Sequence, residues 1–460
     1  MAWRVAIDTA PLSTDPASII DLSSEILCRL IYLPLIELDE THRVSPISAV
    51  QGWSEIDHGT LWKFSLRENL RCSCGVLIDA ARVSRVLNAN LSRSHRPIAS
   101  WLRDAAVPSS EGVFSVSGRF TLTLRLWYPV RYLPYLLTGK CFLVADSLDN
   151  ARATGLYQIR HWGKSSVQLT INANSHLADR LPTAIELINV QTTAESVDLF
   201  AKKRIDLTDP FAVSAERAQN RFESDVKYQK RLSMFATLSV RSSLDDAQVS
   251  LEPSLAFDQD RWQKISAGGS DAFDLMSSFS EAFSEESALS GATFAAKSRL
   301  WLTALSSGRL ASLAFADFHP NADLAKHLGD LLQRVTEQTV RISPLTWERY
   351  LEEVLQPSAQ YLLSVVVPDF DHPAAIPHAF YGYFAKSVEC SNYKLLMKEL
   401  GAFPAEATNK IGTTFSKLED EIVRRTRTLP IARYTACALR SRRAQKFRYT
   451  RRGTLSFDFN

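Results

Sequence analysis

The stretch "RLASLAFADFHPNADLAKHLGDLLQRVTEQTVRISPLTWERYLEEV", residues 309–354, switches hydrophobic period three times and so limits what the chain can become. A run of small and apolar residues gives way to Leu324, Leu328, Leu331, Leu332 and Val335, one stripe at helical spacing. "TVRIS" then reads as a second strand and "LTWERYLEEV" as a second helix. A strand, a crossover helix and another strand require a parallel sheet, because the crossover returns the chain in its original direction. The following "QYLLSVVV" is continuously apolar, as a strand covered on both faces must be. The loop "PDFDHP" therefore stands at the carboxyl end of a buried strand, where open α/β sheets bind ligands.

The rest alternates similarly. "WRVAID" predicts a strand, and "DPASIIDLSSEILCRLIYLPLIELD" an amphipathic helix that starts at Asp15-Pro16 and ends near Tyr32. "TLWKFSLRENLRCS" alternates, with Trp62, Phe64 and Leu66 on one face and Leu61, Lys63 and Ser65 on the other. "DAARVSRVLNANL" restores helical spacing, and "RFTLTLRLWYPVRYLPYLLT" gives a strand and a proline-punctuated apolar helix. "ATGLYQIRHWGKSSVQLTINAN" predicts a hairpin turning at Gly163-Lys164, followed by the strand "AIELINVQ" and the helix "TAESVDLFAKKRI". Residues 240–312 are rich in Ser and Ala, with helical stretches such as "SRLWLTALSSG". Strand–helix units on both sides of this middle predict two α/β lobes, in keeping with 460 residues, more than one hydrophobic core usually serves.

A hydrophobic share of 45% and a charged share of 22% are those of a globular protein, and no stretch approaches the roughly 20 apolar residues that span a bilayer. A formal charge of +3 argues against a nucleic-acid binder. Basic residues do recur from Arg424 to Arg452, alternating with apolar ones, and predict a solvated basic face. The six cysteines form no disulfide framework in a chain of this length, which points to a reducing compartment. Cys72 and Cys74, two apart on one predicted strand face, read as buried or inert thiols.

No Gly-x-Ser-x-Gly elbow, Walker loop, dinucleotide fingerprint or His-Glu-x-x-His helix occurs, and the Gly268-Gly269 pair reads as a linker, so no enzyme and no cofactor is expected. His372 and His378 lie six apart with Pro373 and Pro377 between them, which matches no standard metal spacing. Asp369 reads either as a turn or helix-cap aspartate or as a ligand residue, and Phe370, Phe380, Tyr381, Tyr383 and Phe384 either as core or as a pocket wall.

Taken in order, these segments resemble the family 5 extracellular solute-binding proteins, the peptide and nickel receptors of ABC importers. Pro46, Ala49, Trp53, Phe64, Leu66, Arg67, Gly75, Ala80 and Val83 fall at the places of that family's early motifs, and "ATGLYQIRHW" is similar to its Gly-Thr-Gly-Pro-Tyr turn, with Leu156 at the proline. "LPTAIELINVQTTAESVDLFAKKRIDL", the 311–352 crossover and "LPIARYTACALRS" complete the collinear set. The resemblance implies a two-lobe periplasmic-binding-protein-like fold (type II, cluster C). Residues 1–50, 151–235 and 430–460 would form lobe one, 51–150 its extra subdomain and 236–429 lobe two. It also implies a monomer that closes by hinge motion on a peptide or small amine-bearing ligand in an inter-lobe cleft and presents it to a permease. Asp369 stands where peptide-binding relatives pair an aspartate with the ligand's α-ammonium, a bond worth roughly 1.5–3 kcal/mol. Phe370, Asp371, His372 and Tyr381 would surround it. The implied compartment is periplasmic or extracytoplasmic if a signal has been removed; a cytoplasmic sensor or accessory protein is the alternative, since "MAWRVAIDTAPLSTDPASII" is not a signal peptide.

Overall fold

The computed structural model describes residues 2–145, 153–211, 227–240, 273–275, 311–317, 321–336, 339–355, 358–385, 391–403, 408–426 and 428–459. "SRLWLTALSSG", Gly268-Gly269 and Cys390 lie outside them, and within the described helices the side chains of Leu331, Val335 and Tyr383 do too. The architecture is mixed α/β, with several sheets. Residues 1–209, 368–418 and 440–460 form one compact unit, and residues 210–367 and 419–439 a second. The segment 368–418, expected in lobe two, thus falls in the first unit.

In the second unit the 309–367 reading holds closely. Ala311–Ala316 pairs in parallel with Val340–Leu345 on one side and with Tyr361–Val366 on the other. The sheet continues antiparallel through Lys227–Val240 and Thr428–Leu439 to Phe273–Leu275. Helix Asn321–Thr336 buries Leu324, Ala325, Leu328 and Leu332 completely. At its Gly329 a Cβ would meet Ile342 Cδ1 at 2.7 Å, so helix and strand pack closely there and a larger residue would require the Ile342 side chain to shift. Tyr361, Leu362 and Leu363 are buried, as their apolar run requires.

The first unit holds two four-stranded sheets. In one, Trp3–Ile7 runs parallel to Ala184–Asn189, which continues antiparallel through Ser166–Ile171 to Tyr157–Trp162. The turn at Gly163 is closed by its N–H on the Ser166 carbonyl at 2.9 Å. The other is an antiparallel sheet in the spatial order Val50–Ile56, Leu61–Leu66, Thr121–Arg125 and Phe114–Gly118. Trp62, Phe64 and Leu66 face inward as their alternation predicts.

Four expectations are corrected. The first helix spans Leu22–Ile31 rather than starting at Pro16, because Asp21 is the true cap: its side chain accepts the Ser24 N–H at 2.7 Å. That helix is also buried on every side rather than amphipathic, since its polar residues Glu25 and Arg29 are paired internally. Cys72 and Cys74 do not share a strand; they flank a turn and form a disulfide with Cα atoms 5.2 Å apart. The basic segment is a solvated face only in part: Arg425, Arg442, Arg443 and Lys446 are exposed, but others are not. Arg433 and Arg452 are buried, Arg440 donates to the Phe447 carbonyl at 2.7 Å, and Arg443 donates to the Ala2 carbonyl at 2.8 Å.

Gly155 marks a tight backbone crossing in the first unit. Its N–H and that of Thr154 both donate to the Ile31 carbonyl, at 2.9 and 3.1 Å, and a Cβ on Gly155 would fall 2.7 Å from the Ile31 carbonyl carbon and the Tyr32 nitrogen. Backbone atoms cannot step aside as a flexible side chain can. Gly155→Ala should therefore cost about 1–3 kcal/mol in urea unfolding, whereas Gly52→Ala, with open space around its Cβ, should cost under about 1 kcal/mol. Equal losses would contradict the packing account.

Candidate functional site

The acidic loop follows Tyr361–Val366 directly and leads into helix Ala375–Ala385. Its local shape comes from His372. The imidazole Nδ1 accepts the Ala374 N–H at 3.1 Å and the carbonyl accepts the Ala375 N–H at 2.8 Å, so this residue closes the turn that starts the helix. Pro373 fits such a position because its missing N–H is not needed there.

Asp369 Oδ1 receives Arg96 Nη1 at 3.0 Å. Arg96 stands just before Pro97 at the start of helix Pro97–Ala105, and its Nη2 also donates to the Ile19 carbonyl. The Asp369 carbonyl accepts Arg452 Nη1. Asp371 Oδ2 lies 3.7 Å from Arg451 Nη1. The loop's charges are thus met by arginines from two distant parts of the same unit. Asp369 keeps 12% of its side chain accessible, and among the described residues its Oδ2 receives no hydrogen bond.

The aromatic candidates are deeper. Phe370 is fully buried and stacks on Tyr132 with centroids 6.3 Å apart, and His372 stacks on the same ring at 5.4 Å. Tyr381 is also buried and donates its hydroxyl to Asp104 Oδ2 at 2.7 Å; burial and that neighbour push its pKa above the ordinary tyrosine value. Of the five predicted residues, Asp369, Phe370, Asp371 and His372 come together, while Tyr381 joins the helix-to-helix packing. His378, set aside in the sequence as a metal ligand, lies edge-on to Trp101 at 4.3 Å and shares a 3.0 Å hydrogen bond with the Tyr132 hydroxyl. Among the described residues no cluster of three potential metal ligands occurs.

Beneath the loop lies a buried charge cluster that sequence reasoning missed. Glu25 Oε1 meets Arg29 Nε at 3.0 Å and Arg452 Nη1 at 3.7 Å, and its Oε2 meets Lys140 Nζ at 3.2 Å. Arg29 also reaches Glu37 Oε2 at 2.6 Å and the Thr138 carbonyl at 2.7 Å. Burial by itself would raise the Glu25 pKa, but Lys140, Arg29 and Arg452 together hold it well below the carboxylate range. Burial, with Arg96 nearby, lowers the Lys140 ammonium from its ordinary value against the pull of Glu25 and Asp369. The available signal was the Glu25–Arg29 spacing of four inside an otherwise apolar helix.

Burial, with a smaller contribution from the charge of His372, pushes the His378 pKa down to about 3. The unfolded chain therefore binds a proton that the folded one refuses between pH 6.5 and about 3, so this histidine's stabilising effect is complete above pH 6.5 and lost as the pH falls. Glu25, lowered from 4.5, acts in the same sense but only at lower pH. Stability measured by urea unfolding should fall from pH 6.5 to 5, and His378→Gln should flatten that slope. An unchanged slope in the variant would contradict the assignment.

Neither a protein-family model nor a curated protein sequence matches the chain. Solved structures do. A periplasmic oligopeptide-binding protein from Borrelia burgdorferi has a TM-score of 0.77 at 14% identity, with 100% of both chains covered. The Escherichia coli murein tripeptide binding protein MppA has a TM-score of 0.77 at 13% identity, covering 99% of this chain and 98% of that one. NikA from Brucella suis, in complex with Fe(III)-EDTA, has a TM-score of 0.71 at 14% identity with 100% of both chains covered. The fold is that of the family 5 solute-binding proteins, along the full length.

Proposed function

We propose that the chain is an extracytoplasmic solute-binding protein that captures a peptide or other small amine-bearing molecule and hands it unchanged to the permease of an ABC importer, acting as a monomer. The observation that carries this reading is the likeness to oligopeptide- and tripeptide-binding proteins over 99–100% of the chain. The two compact units would be the two lobes of the type II fold, and the antiparallel sheet of Val50–Ile56, Leu61–Leu66, Thr121–Arg125 and Phe114–Gly118 with its helices the extra subdomain. The Cys72–Cys74 disulfide supports an oxidising compartment over the cytoplasm. Chemistry is disfavoured because the acidic loop's groups are committed: His372 to a turn and a ring stack, Asp369 to Arg96.

For the ligand's ammonium we propose the second oxygen of Asp369. A carboxylate can accept a bidentate or shared pair of donors, so Oδ2 can take a cation while Oδ1 stays on Arg96. Arg96 and Lys140 lie close enough to oppose a second positive charge, which would favour ligands that bring a carboxylate or a carbonyl as well as an amine, as peptides do.

Native mass spectrometry of protein purified without denaturant should reveal a bound small molecule, and calorimetry with that molecule should give an affinity that Asp369→Asn weakens at least about tenfold. Unchanged affinity in the variant would remove the amine contact while leaving the binding role. Absence of any co-purified solute, together with no heat from a mixture of tri- to pentapeptides, would remove the binding role itself.

A further inference from the structure

The turn at residues 71–77 has backbone bonds of its own. An isolated bridge joins Arg71 to Leu77, the Cys72 N–H donates to the Val76 carbonyl at 3.0 Å, and the Gly75 N–H donates to the Cys72 carbonyl at 2.8 Å with Gly75 at φ +83°. None of these holds the peptide groups of Ser73, the single residue inside the disulfide ring. Those groups point to other segments instead: the Ser73 N–H donates to the Ala153 carbonyl at 2.7 Å, and its carbonyl accepts Asn174 Nδ2 at 3.0 Å. Ala153 leads directly to Thr154 and Gly155, which are fixed on the Ile31 carbonyl at the end of helix Leu22–Ile31.

A ring that encloses one residue removes little conformational freedom from the unfolded chain, so this disulfide is poorly suited to act as a folding staple. Its two sulfurs also differ: Cys72 is buried and Cys74 is exposed. Arg71 and Arg82 donate to the Gly75 and Leu77 carbonyls at 2.8 and 3.2 Å, which brings two guanidinium groups against the turn, and positive charge favours a thiolate.

We propose that Cys72–Cys74 is a thiol–disulfide exchange site for a dithiol, and that its redox state sets whether Ser73 holds the 153–174 region. A thiolate of the dithiol attacks the exposed Cys74 sulfur. The bond between the cysteines breaks, its electron pair leaves on Cys72, and Cys72 takes up a proton. The reagent's second thiolate then attacks the reagent sulfur of the mixed disulfide and expels the Cys74 thiolate, which is protonated in turn. The protein gains two thiols and the dithiol becomes a disulfide, with electrons and protons balanced. The turn keeps its own hydrogen bonds, but Ser73 is no longer constrained to present both peptide groups to Ala153 and Asn174.

The test uses the full chain purified without reductant, with dithiothreitol as the probe. Iodoacetamide should leave Cys72 and Cys74 unlabelled in the native oxidised protein and label both after a brief native incubation with dithiothreitol. Hydrogen exchange should then show the Ser73 amide accelerating about tenfold on reduction while the Cys72 amide changes less than about threefold. The Cys72→Ser/Cys74→Ser double variant should match the reduced protein at Ser73 without reductant. Labelling before reduction, or reduction only after denaturation, would overturn the exchange site. An unmoved Ser73 amide would overturn the clasp, and a double variant that cannot fold would make the bond a staple, which overturns the proposal as well.

Discussion

A carboxylate buried in a helix with every side covered is tolerated only when cations follow it inside, and Glu25 is that carboxylate. Its two oxygens face Arg29 of the same helix, Lys140 from the segment after Gly139, and Arg452 from the turn of the C-terminal hairpin Phe447–Tyr449/Leu455–Phe457. Arg452 then passes the connection on to the Asp369 carbonyl, and Arg96 closes on the Asp369 carboxylate. Five segments widely separated in sequence are thus joined by one network. Each charge is bearable because the others are present, so losing one leaves the rest buried and uncompensated. The acidic loop is held in shape from below by a structural network, before any ligand is considered.

The fold was legible to the extent that periodicity reports burial. Leu324, Leu328 and Leu332 line one helix face and Tyr361, Leu362 and Leu363 are buried in the sheet, so strand, crossover and parallel partner could be read directly, although Val365 and Val366 are only partly covered. The first helix shows where this fails. Asp15-Pro16 looks like a start signal, yet Asp21 caps, because capping depends on which side chain reaches the free N–H groups rather than on proline placement. Cys72 and Cys74 were misread because a two-residue separation was taken as strand geometry, whereas Gly75 at positive φ turns the chain there. Arg452 was misread because local alternation says nothing about a buried acid a few hundred residues away. For the candidate site, the loop's position at a strand's end was readable, but the partners of Asp369 and Asp371 come from residues 96 and 451, separations that no sequence pattern encodes.

An identity of 12–14% with full-length superposition on solute-binding proteins shows how little of such a fold is set by particular side chains. Burial pattern and a few close approaches such as Gly155 on Ile31 and Gly329 on Ile342 suffice to specify the backbone. Around Asp369 stand Arg96, Lys140 and Arg452, a surrounding that tempers the negative charge of the acidic loop and distinguishes it from a bare carboxylate.

The charge network makes a demand that can be read directly from hydrogen exchange of the Glu25→Gln variant. If Glu25 anchors the hairpin and, through Arg452, the acidic loop, then amides in Phe447–Tyr449 and at His372 and Ala374 should lose protection together with helix Leu22–Ile31. Increased exchange confined to the helix, with the hairpin and loop as protected as in the unaltered protein, would contradict that dependence.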